Sequence, residues 1–174
     1  MDNAASDKPE RSRTLDKMVA ITVVILSVFM AITKVKDDNI VQAMQKAKAE
    51  SVDAWAEYQA ARLKLHSAEH SRTMLSVMPA DSPKANEITA AIAEQNKDID
   101  RYTARSKETM GKAKSLEKLY DELNAKDDQF DLSDVFTSVA IALAAVAALT
   151  EMWALLYISW ASGGLGMALG VAAF

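Results

Sequence analysis

Apolar and small residues recur at alternating steps of four and three positions in two stretches of the chain, Ile40–Leu75 and Ile88–Leu123. Such spacing places them on one face of a helix, and over several heptads it is typical of coiled coils. Between the stretches, Met78–Pro83 contains two prolines and an Asp-Ser pair, which end one helix and cap the next. The pattern therefore predicts two long helices joined by a turn near residues 78–83.

A turn centred on Ala80 makes the two helices antiparallel and lets their core positions face one another, as in the pair Tyr58 and Tyr102. On one flank this register brings opposite charges together. The predicted pairs are Glu50–Lys112, Glu57–Arg105 and Lys64–Asp98.

The other flank of the predicted hairpin carries the apolar residues Val41, Trp55 and Met110. The central core layers consist of small residues, such as Ala47 opposite Ala113, which bury little apolar area. A long two-helix arm with so thin a core is underpacked when alone. We therefore expect Trp55, Met110 and Val41 to contact another helix, most simply from a second copy.

Two apolar segments, Met18–Ile32 and Val135–Phe174, lie on either side of the predicted hairpin and together contain one charged residue, Glu151. Most other charged residues lie between these two segments. Apolar helical stretches of roughly 20 residues suit a bilayer. The pattern predicts an all-α integral membrane protein with three transmembrane helices and a long antiparallel coiled-coil hairpin. Its predicted parts are a flexible tail (1–13), a transmembrane helix (14–36), the hairpin (37–131) and a transmembrane helical hairpin (132–174).

Two features bear on the first apolar segment. Ser12 or Thr14 could cap the helix that enters it. The alternative is a cleaved signal peptide, but Phe29 would occupy the −3 position for a cut after Ala31, where a small residue is required. We favour an uncleaved anchor.

The C-terminal apolar region suits two spans. Asp131–Asp134 could cap the first, and Glu151-Met152 marks the predicted turn between them. Trp153, Tyr157 and Trp160 would then begin the last span at the headgroup level that aromatic residues prefer. A turn at Ser162–Gly164 is the alternative, but it leaves too short a final span.

Small residues recur every four positions in the last predicted helix, at Ser162, Gly166 and Gly170. Small residues at this spacing let transmembrane helices approach closely. We expect these three positions to form a helix-packing seam.

Composition narrows the function classes. The 174 residues carry a net charge of −4 and no cysteine, which excludes disulfides and thiolate metal sites and gives no basic surface for nucleic acid. His66, Glu69 and His70 spell the H-x-x-E-H signature of inverted zinc peptidases, but they fall on the solvent face of the predicted hairpin, outside any cleft. The sequence thus predicts no enzyme, no cofactor and no metal.

Three pieces of the chain resemble a known bacterial family. They are the Thr22–Ala31 anchor, the Val52–Ala60 stretch with its Trp-x-x-Tyr-Gln-Ala piece, and Phe130–Leu132 leading into the Ala-rich Val139–Thr150. The chain resembles domain-of-unknown-function family 4337 over nearly its whole length, and departs from it at Glu151-Met152, where basic residues are expected. The resemblance implies an integral membrane protein of bacteria and supplies no activity or catalytic residue.

From these patterns we expect a non-enzymatic, oligomerising membrane scaffold or accessory subunit of a larger membrane complex, located in the bacterial inner membrane as a multi-pass protein. Its expected partners are membrane lipid and further copies of itself. The alternative is a small multimeric transport or channel component, in which Glu151 would line a pore. Basic residues near the N-terminus favour a cytoplasmic N-terminus and a periplasmic arm, whereas Lys34 and Lys36 favour the reverse.

Overall fold

The computed structural model describes residues 10–79 and 83–174, which form three helices and, within these ranges, no strand. The helices are α1 (Glu10–Ser76), α2 (Ala85–Thr150) and α3 (Trp153–Ala172). Each contains a stretch long and apolar enough to cross a membrane. The predicted all-α class is therefore confirmed. Most of the predicted flexible tail, the turn centre at Ala80 and the cap at Asp81-Ser82 lie outside the described residues.

The start of α1 corrects one sequence expectation. The helix begins at Glu10, upstream of both Ser12 and Thr14, so neither residue is its cap. Thr14 Oγ1 instead donates to the Glu10 carbonyl oxygen within the helix, at 3.0 Å. Ser12 Oγ donates to Glu151 Oε1 at 2.8 Å. The Ser12 hydroxyl, which was expected to cap the helix, thus bonds to a residue far away in the sequence. Local sequence does not reveal such a partner.

A second correction concerns the expected cap at Asp131–Asp134, because α2 passes through this segment without a break. The segment contains no glycine or proline to end a helix. Ser133 is 1% exposed, and its hydroxyl donates to the Gly166 carbonyl oxygen at 2.7 Å. The boundary predicted between residues 131 and 132 therefore falls inside one helix.

The residues divide into two compact units. The central unit is Met44–Asp121, and the terminal unit combines Met1–Ala43 with Glu122–Phe174. Both α1 and α2 contribute to each unit, and α3 belongs to the terminal unit.

In the central unit, α1 and α2 contact each other in antiparallel order, since Glu57 meets Arg105 and Lys64 lies over the Tyr102 ring. The Arg105 Nη2 to Glu57 Oε2 distance is 2.8 Å, as the predicted register requires. The other two predicted charge pairs are replaced by contacts within one helix: Lys46–Glu50 at 3.9 Å and Arg101–Asp98 at 4.0 Å. The buried residues of the central unit follow the predicted heptad positions and are mostly small: Met44, Ala47, Ser51, Ala54, Ala61, Leu65, Ala68, Ser106, Thr109 and Ala113.

In the terminal unit, three helices surround a core of Leu15, Val19, Ala144, Ala147 and Leu156. The order of the contacts gives the helix directions. Ser159 of α3 is hydrogen-bonded to Ala140 of α2. Gly166, seven residues further along α3, is hydrogen-bonded to Ser133, seven residues further back along α2, so the two helices are antiparallel.

Beside its apolar core, the terminal unit buries several polar side chains, and it exposes large apolar ones. Its buried polar residues are Ser12, Thr33, Asp37, Ser133, Thr137 and Ser159. Large aliphatic side chains cover its exterior, among them Ile21 (55% exposed), Val24 (61%) and Leu149 (85%). Such a surface is unfavourable in water and suits a hydrocarbon environment.

Candidate functional site

The predicted interaction residue Trp55 lies half-buried on α1 in the central unit. Its Nε1 donates to Glu117 Oε1 at 2.8 Å, and its ring packs edge-on against Tyr58 with the centroids 5.5 Å apart. The hydrogen bond fixes the orientation of the indole, and part of the ring remains open to solvent. The indole therefore combines an apolar ring, partly open to solvent, with a polar group that already has a partner.

Met110 is half-buried on α2 within the same unit, whereas Val41 is half-buried in the terminal unit. The structure therefore assigns the three predicted interaction residues to two different units. The partner of the Trp55 indole, Glu117, was missed as a partner from sequence. The available signal was that both residues occupy the same flank of the predicted heptads.

Large apolar side chains also remain exposed in the central unit. They are Val52 (57% exposed), Leu63 (73%), Met74 (56%), Val77 (74%), Met78 (49%) and Leu119 (44%). Scattered exposed apolar residues are normal on a protein surface, so these residues alone define no site.

The predicted seam on α3 is a close helix contact. Gly166 is buried, and a Cβ atom at this position would lie 2.6 Å from Thr137 Oγ1 and 3.0 Å from the Ser133 carbonyl oxygen. A Cβ atom at the buried Gly170 would lie 2.7 Å from both the Phe29 ring and Ser133 Oγ. Both positions therefore require a residue without a side chain.

Three serines join α2 and α3, and we call them the serine ladder. Ser133 Oγ donates to the Gly166 carbonyl oxygen at 2.7 Å, Ser159 Oγ to Ala140 at 2.7 Å, and Ser162 Oγ to Phe136 at 2.9 Å. The predicted seam residue Ser162 thus acts through its hydroxyl. Hydroxyl-to-carbonyl bonds of this kind hold helices together where water is absent.

Sequence reasoning missed part of this seam. The buried α3 residues are Leu156, Ser159, Gly163, Gly166 and Gly170, which alternate three- and four-residue steps. The prediction followed every fourth residue and so omitted Ser159 and Gly163. The heptad step used for the hairpin would have found both.

A cavity of about 200 Å³ opens between α1 and α3 in the terminal unit. Thr22, Leu26, Gly163 and Met167 are among its lining residues, and Trp160 Nε1 donates to Thr22 Oγ1 at 2.8 Å beside it. Its lining contains no acid or base, so it offers no groups for proton transfer or metal binding.

A polar cluster in the terminal unit was not predicted. The Asp37 side chain is 5% exposed, and its Oδ2 accepts a bond from Lys34 Nζ at 2.7 Å. Asp127 on α2 is half-buried, and burial raises its pKa above the ordinary value. The neighbouring carboxyl groups of Asp37, Asp131 and Asp128 raise this pKa further. The sequence offered one indication of this cluster, because aspartates occur at both ends of the predicted hairpin, the segment 37–131.

The H-x-x-E-H motif lies on an exposed helix face. His66 Nδ1 is 3.2 Å from Glu69 Oε2, and His66 Nε2 is 3.2 Å from Arg62 Nη2. Both ring nitrogens therefore face a neighbour on the same helix. Within residues 10–79 and 83–174, no group of three or more His, Asp or Glu side chains is arranged to hold a metal ion.

Glu151 is the exposed residue that links α2 to α3, and it has a φ of 54°. This left-handed conformation is common just after a helix, where glycine is the usual residue. The bond from Ser12 Oγ fixes its carboxylate. Ser162–Gly164, the alternative position for the turn, lies inside α3.

Comparison with protein families found that the model described as Domain of unknown function (DUF4337) matches residues 15–174. Comparisons with curated proteins and with solved structures found no match.

Proposed function

Because the chain belongs to the family described as Domain of unknown function (DUF4337), which supplies no activity, we propose a function from its own geometry. The proposed function of the protein is that of a non-enzymatic, oligomerising membrane scaffold or of an accessory subunit of a larger membrane complex. The central unit presents the association surface, and the terminal unit anchors the chain.

The anchoring role is supported by the exposed aliphatic surface of the terminal unit and by its buried hydroxyl groups. Aliphatic residues such as Val24 and Leu149 are exposed while hydroxyl groups are buried and hydrogen-bonded between helices. In hydrocarbon, polar groups must find partners inside the protein, and apolar side chains can face outward at no cost. We propose that all three helices cross the plasma membrane of a bacterium and that the chain is multi-pass.

The association role is supported by the thin core of the central unit. We propose that this unit is an antiparallel coiled coil whose core of mostly alanine, serine and threonine leaves it dependent on a further helix. The half-buried Trp55 carries this proposal, because a large aromatic ring fixed at the flank is typical of residues that dominate binding energy at interfaces. A second copy of the chain is the proposed partner.

The test is the oligomeric mass of the full chain purified in mild detergent. Trp55→Ala is expected to lower the oligomer mass or remove co-purifying partners while the helix content stays unchanged. Trp55→Phe keeps a six-membered aromatic ring but removes the bond to Glu117 and part of the ring area, so it is expected to retain more of the association than Trp55→Ala. Unchanged mass and unchanged partners in Trp55→Ala would refute the proposal.

Leu63→Ala provides the matched control. Leu63 is 73% exposed on the same helix and in the same unit, away from the buried heptad positions. Its truncation is expected to leave the oligomer mass unchanged. Equal losses from Leu63→Ala and Trp55→Ala would indicate general apolar adhesion and not a specific interface.

The transport or channel alternative depends on Glu151. Its exposed carboxylate is engaged by Ser12 at the link between α2 and α3, which favours a structural role. Glu151→Gln preserves an acceptor for Ser12 and removes the charge. Ion flux into vesicles containing the purified protein that is abolished by Glu151→Gln would support the alternative and contradict the scaffold.

A further inference from the structure

The cavity of about 200 Å³ between α1 and α3 offers little to a water molecule. Among the described residues that line it, none is charged, and the indole of Trp160 donates to the hydroxyl of Thr22 at 2.8 Å. The Thr22 hydroxyl is then the one side-chain group left to bond a water. A buried water needs two or more polar partners. The cavity therefore suits an apolar occupant.

Two adjacent glycines shape the α3 side of the cavity. A Cβ atom at Gly163 would lie 3.0 Å from the Leu26 side chain of α1, whereas a Cβ atom at Gly164 would meet nothing within 4 Å among the described residues. The helices are thus in close contact at Gly163, and the space beside Gly164 is open. The cavity exists because position 164 carries no side chain.

The surroundings of the cavity are aliphatic. Ile25, which lines it, is 53% exposed, and the residues next to two other lining positions are exposed as well, Ile21 by 55% and Leu165 by 56%. Both α1 and α3 contain a stretch long and apolar enough to cross a membrane. The inference rests on the proposed function, in which the terminal unit lies in a bilayer, because the molecules around its helices are then lipid acyl chains.

The size of the cavity favours an acyl chain over a helix. An apolar cavity of about 150 Å³ stays dry and holds a benzene-sized molecule, so this cavity has room for a short stretch of an acyl chain. A helix with its side chains is about 10–12 Å across, so a second copy could place only a single side chain in the cavity. Left empty, the lining would lose its dispersion contacts.

We propose that this cavity binds one acyl chain of a phospholipid, which lies between α1 and α3 and packs against Leu26, Trp160 and Met167. Because no charged side chain lines the cavity, the site recognises the chain and not the headgroup. It lies in the terminal unit and does not involve the association surface around Trp55.

The test measures the phospholipid that the full chain retains. The protein is reconstituted into vesicles of dioleoyl phosphatidylcholine, extracted in mild detergent and weighed by native mass spectrometry. The wild type should retain one phospholipid per chain. Vesicles of dioleoyl phosphatidylglycerol should give the same occupancy. A difference of about tenfold or more between the two headgroups would overturn the proposal in favour of a charged site elsewhere.

Gly164→Leu is the decisive variant, because its side chain can occupy the cavity without displacing the fold. It should lower the ratio of lipid-bound to lipid-free protein by about tenfold or more, with unfolding and oligomer mass unchanged. Gly164→Ala adds one methyl group and should cause a smaller loss. Equal lipid retention by the wild type and Gly164→Leu would overturn the proposal. A lower oligomer mass in Gly164→Leu would overturn it in favour of a helix from a second copy.

Two controls separate the cavity from general lipid adhesion. Gly111→Leu introduces the same side chain into open space in the central unit and should retain lipid as the wild type does. Leu165→Ala shortens an exposed side chain next to the cavity without changing its lining, and it should also leave retention unchanged. Equal losses from Leu165→Ala and Gly164→Leu would overturn the proposal, because they would indicate lipid adhering to the whole surface.

Membrane recovery separates this proposal from the anchoring proposal on which it rests. A wild-type chain that is not recovered in membranes would refute both. A chain that is recovered in membranes but retains no phospholipid after extraction would refute only the acyl-chain site.

Discussion

The central and terminal units differ in the side chains that they expose, although both bury apolar residues together with hydroxyl groups and the same two helices contribute to both. The central unit buries alanines such as Ala54 and Ala113 and covers itself with charged residues. The terminal unit buries Ser133, Thr137 and Ser159 and exposes aliphatic residues. The hydrophobic effect drives burial only against water, whereas in lipid close packing and hydrogen bonding are left to hold helices together. A charged surface is favourable in water, whereas an exposed aliphatic surface is favourable in hydrocarbon.

The largest expected effect comes from introducing a lysine at either of two similarly exposed valines of α1, one in each unit. Val24 in the terminal unit is 61% exposed, and Val52 in the central unit is 57% exposed. Val24→Lys should raise the free energy of membrane insertion by about 2.5–3.5 kcal/mol, because the ammonium group would face hydrocarbon. The fraction of the chain recovered in membranes measures this effect.

Val52→Lys is the matched control and should change stability by less than about 0.5 kcal/mol, since its side chain faces water. Equal membrane recovery for the two variants would break the comparison. It would show that the exposed aliphatic residues of the terminal unit do not meet lipid.

Neighbouring glycines on α3 test close packing in the terminal unit. Gly166→Leu should destabilise the fold by about 1–3 kcal/mol, because its Cβ would meet Thr137 and the backbone of Ser133. Gly164→Leu should have little effect, since a Cβ there meets nothing within 4 Å. Unfolding in a denaturing detergent, followed by tryptophan fluorescence, measures both. A larger loss at Gly164 would contradict the described seam.

The serine ladder should contribute less than the glycines. Ser133→Ala removes the 2.7 Å bond to the Gly166 carbonyl oxygen and should cost about 0.6 kcal/mol, with an upper limit near 1.7 kcal/mol. The same unfolding assay applies, with the exposed Ser138→Ala as control. If Ser133→Ala left the free energy of unfolding unchanged, the packing of α2 against α3 would depend on van der Waals contact alone.

The smallest expected effect is the exposed ion pair of the central unit. Glu57 and Arg105 are about half exposed and 2.8 Å apart. A double-mutant cycle with Glu57→Gln and Arg105→Gln should give a coupling energy of about 0.2–1 kcal/mol. Because salt screens exposed charges, the coupling should decrease at high ionic strength. If the coupling energy did not change with ionic strength, the Glu57–Arg105 pair would not be exposed to solvent as described.

Sequence reasoning succeeded where the signal was periodic. The heptad spacing identified the buried positions of the central unit, and the Glu57–Arg105 contact agrees with the predicted register. It failed at Ser12 and Asp131–Asp134, where residues typical of helix caps lie inside helices. Capping residues are indicated by local chemistry, but Ser12 and Ser133 find acceptors on segments distant in sequence.

The candidate sites divide in the same way. The close packing at the glycines of α3 could be predicted because very small residues are informative wherever they occur, whereas the interaction role of Trp55 stays a prediction. The hydrogen-bond partner of Trp55 and the serine ladder were not predictable, because each joins residues far apart in the sequence.

Helical class, three apolar segments and the periodic core of the central unit follow from the sequence alone, because each depends on spacing along one chain. Tertiary structure decided which hydroxyl meets which carbonyl, why a Cβ atom at Gly166 would collide with Thr137, and that Asp37 is buried. These features depend on distances between helices. Packing sets such distances, and local sequence does not encode them.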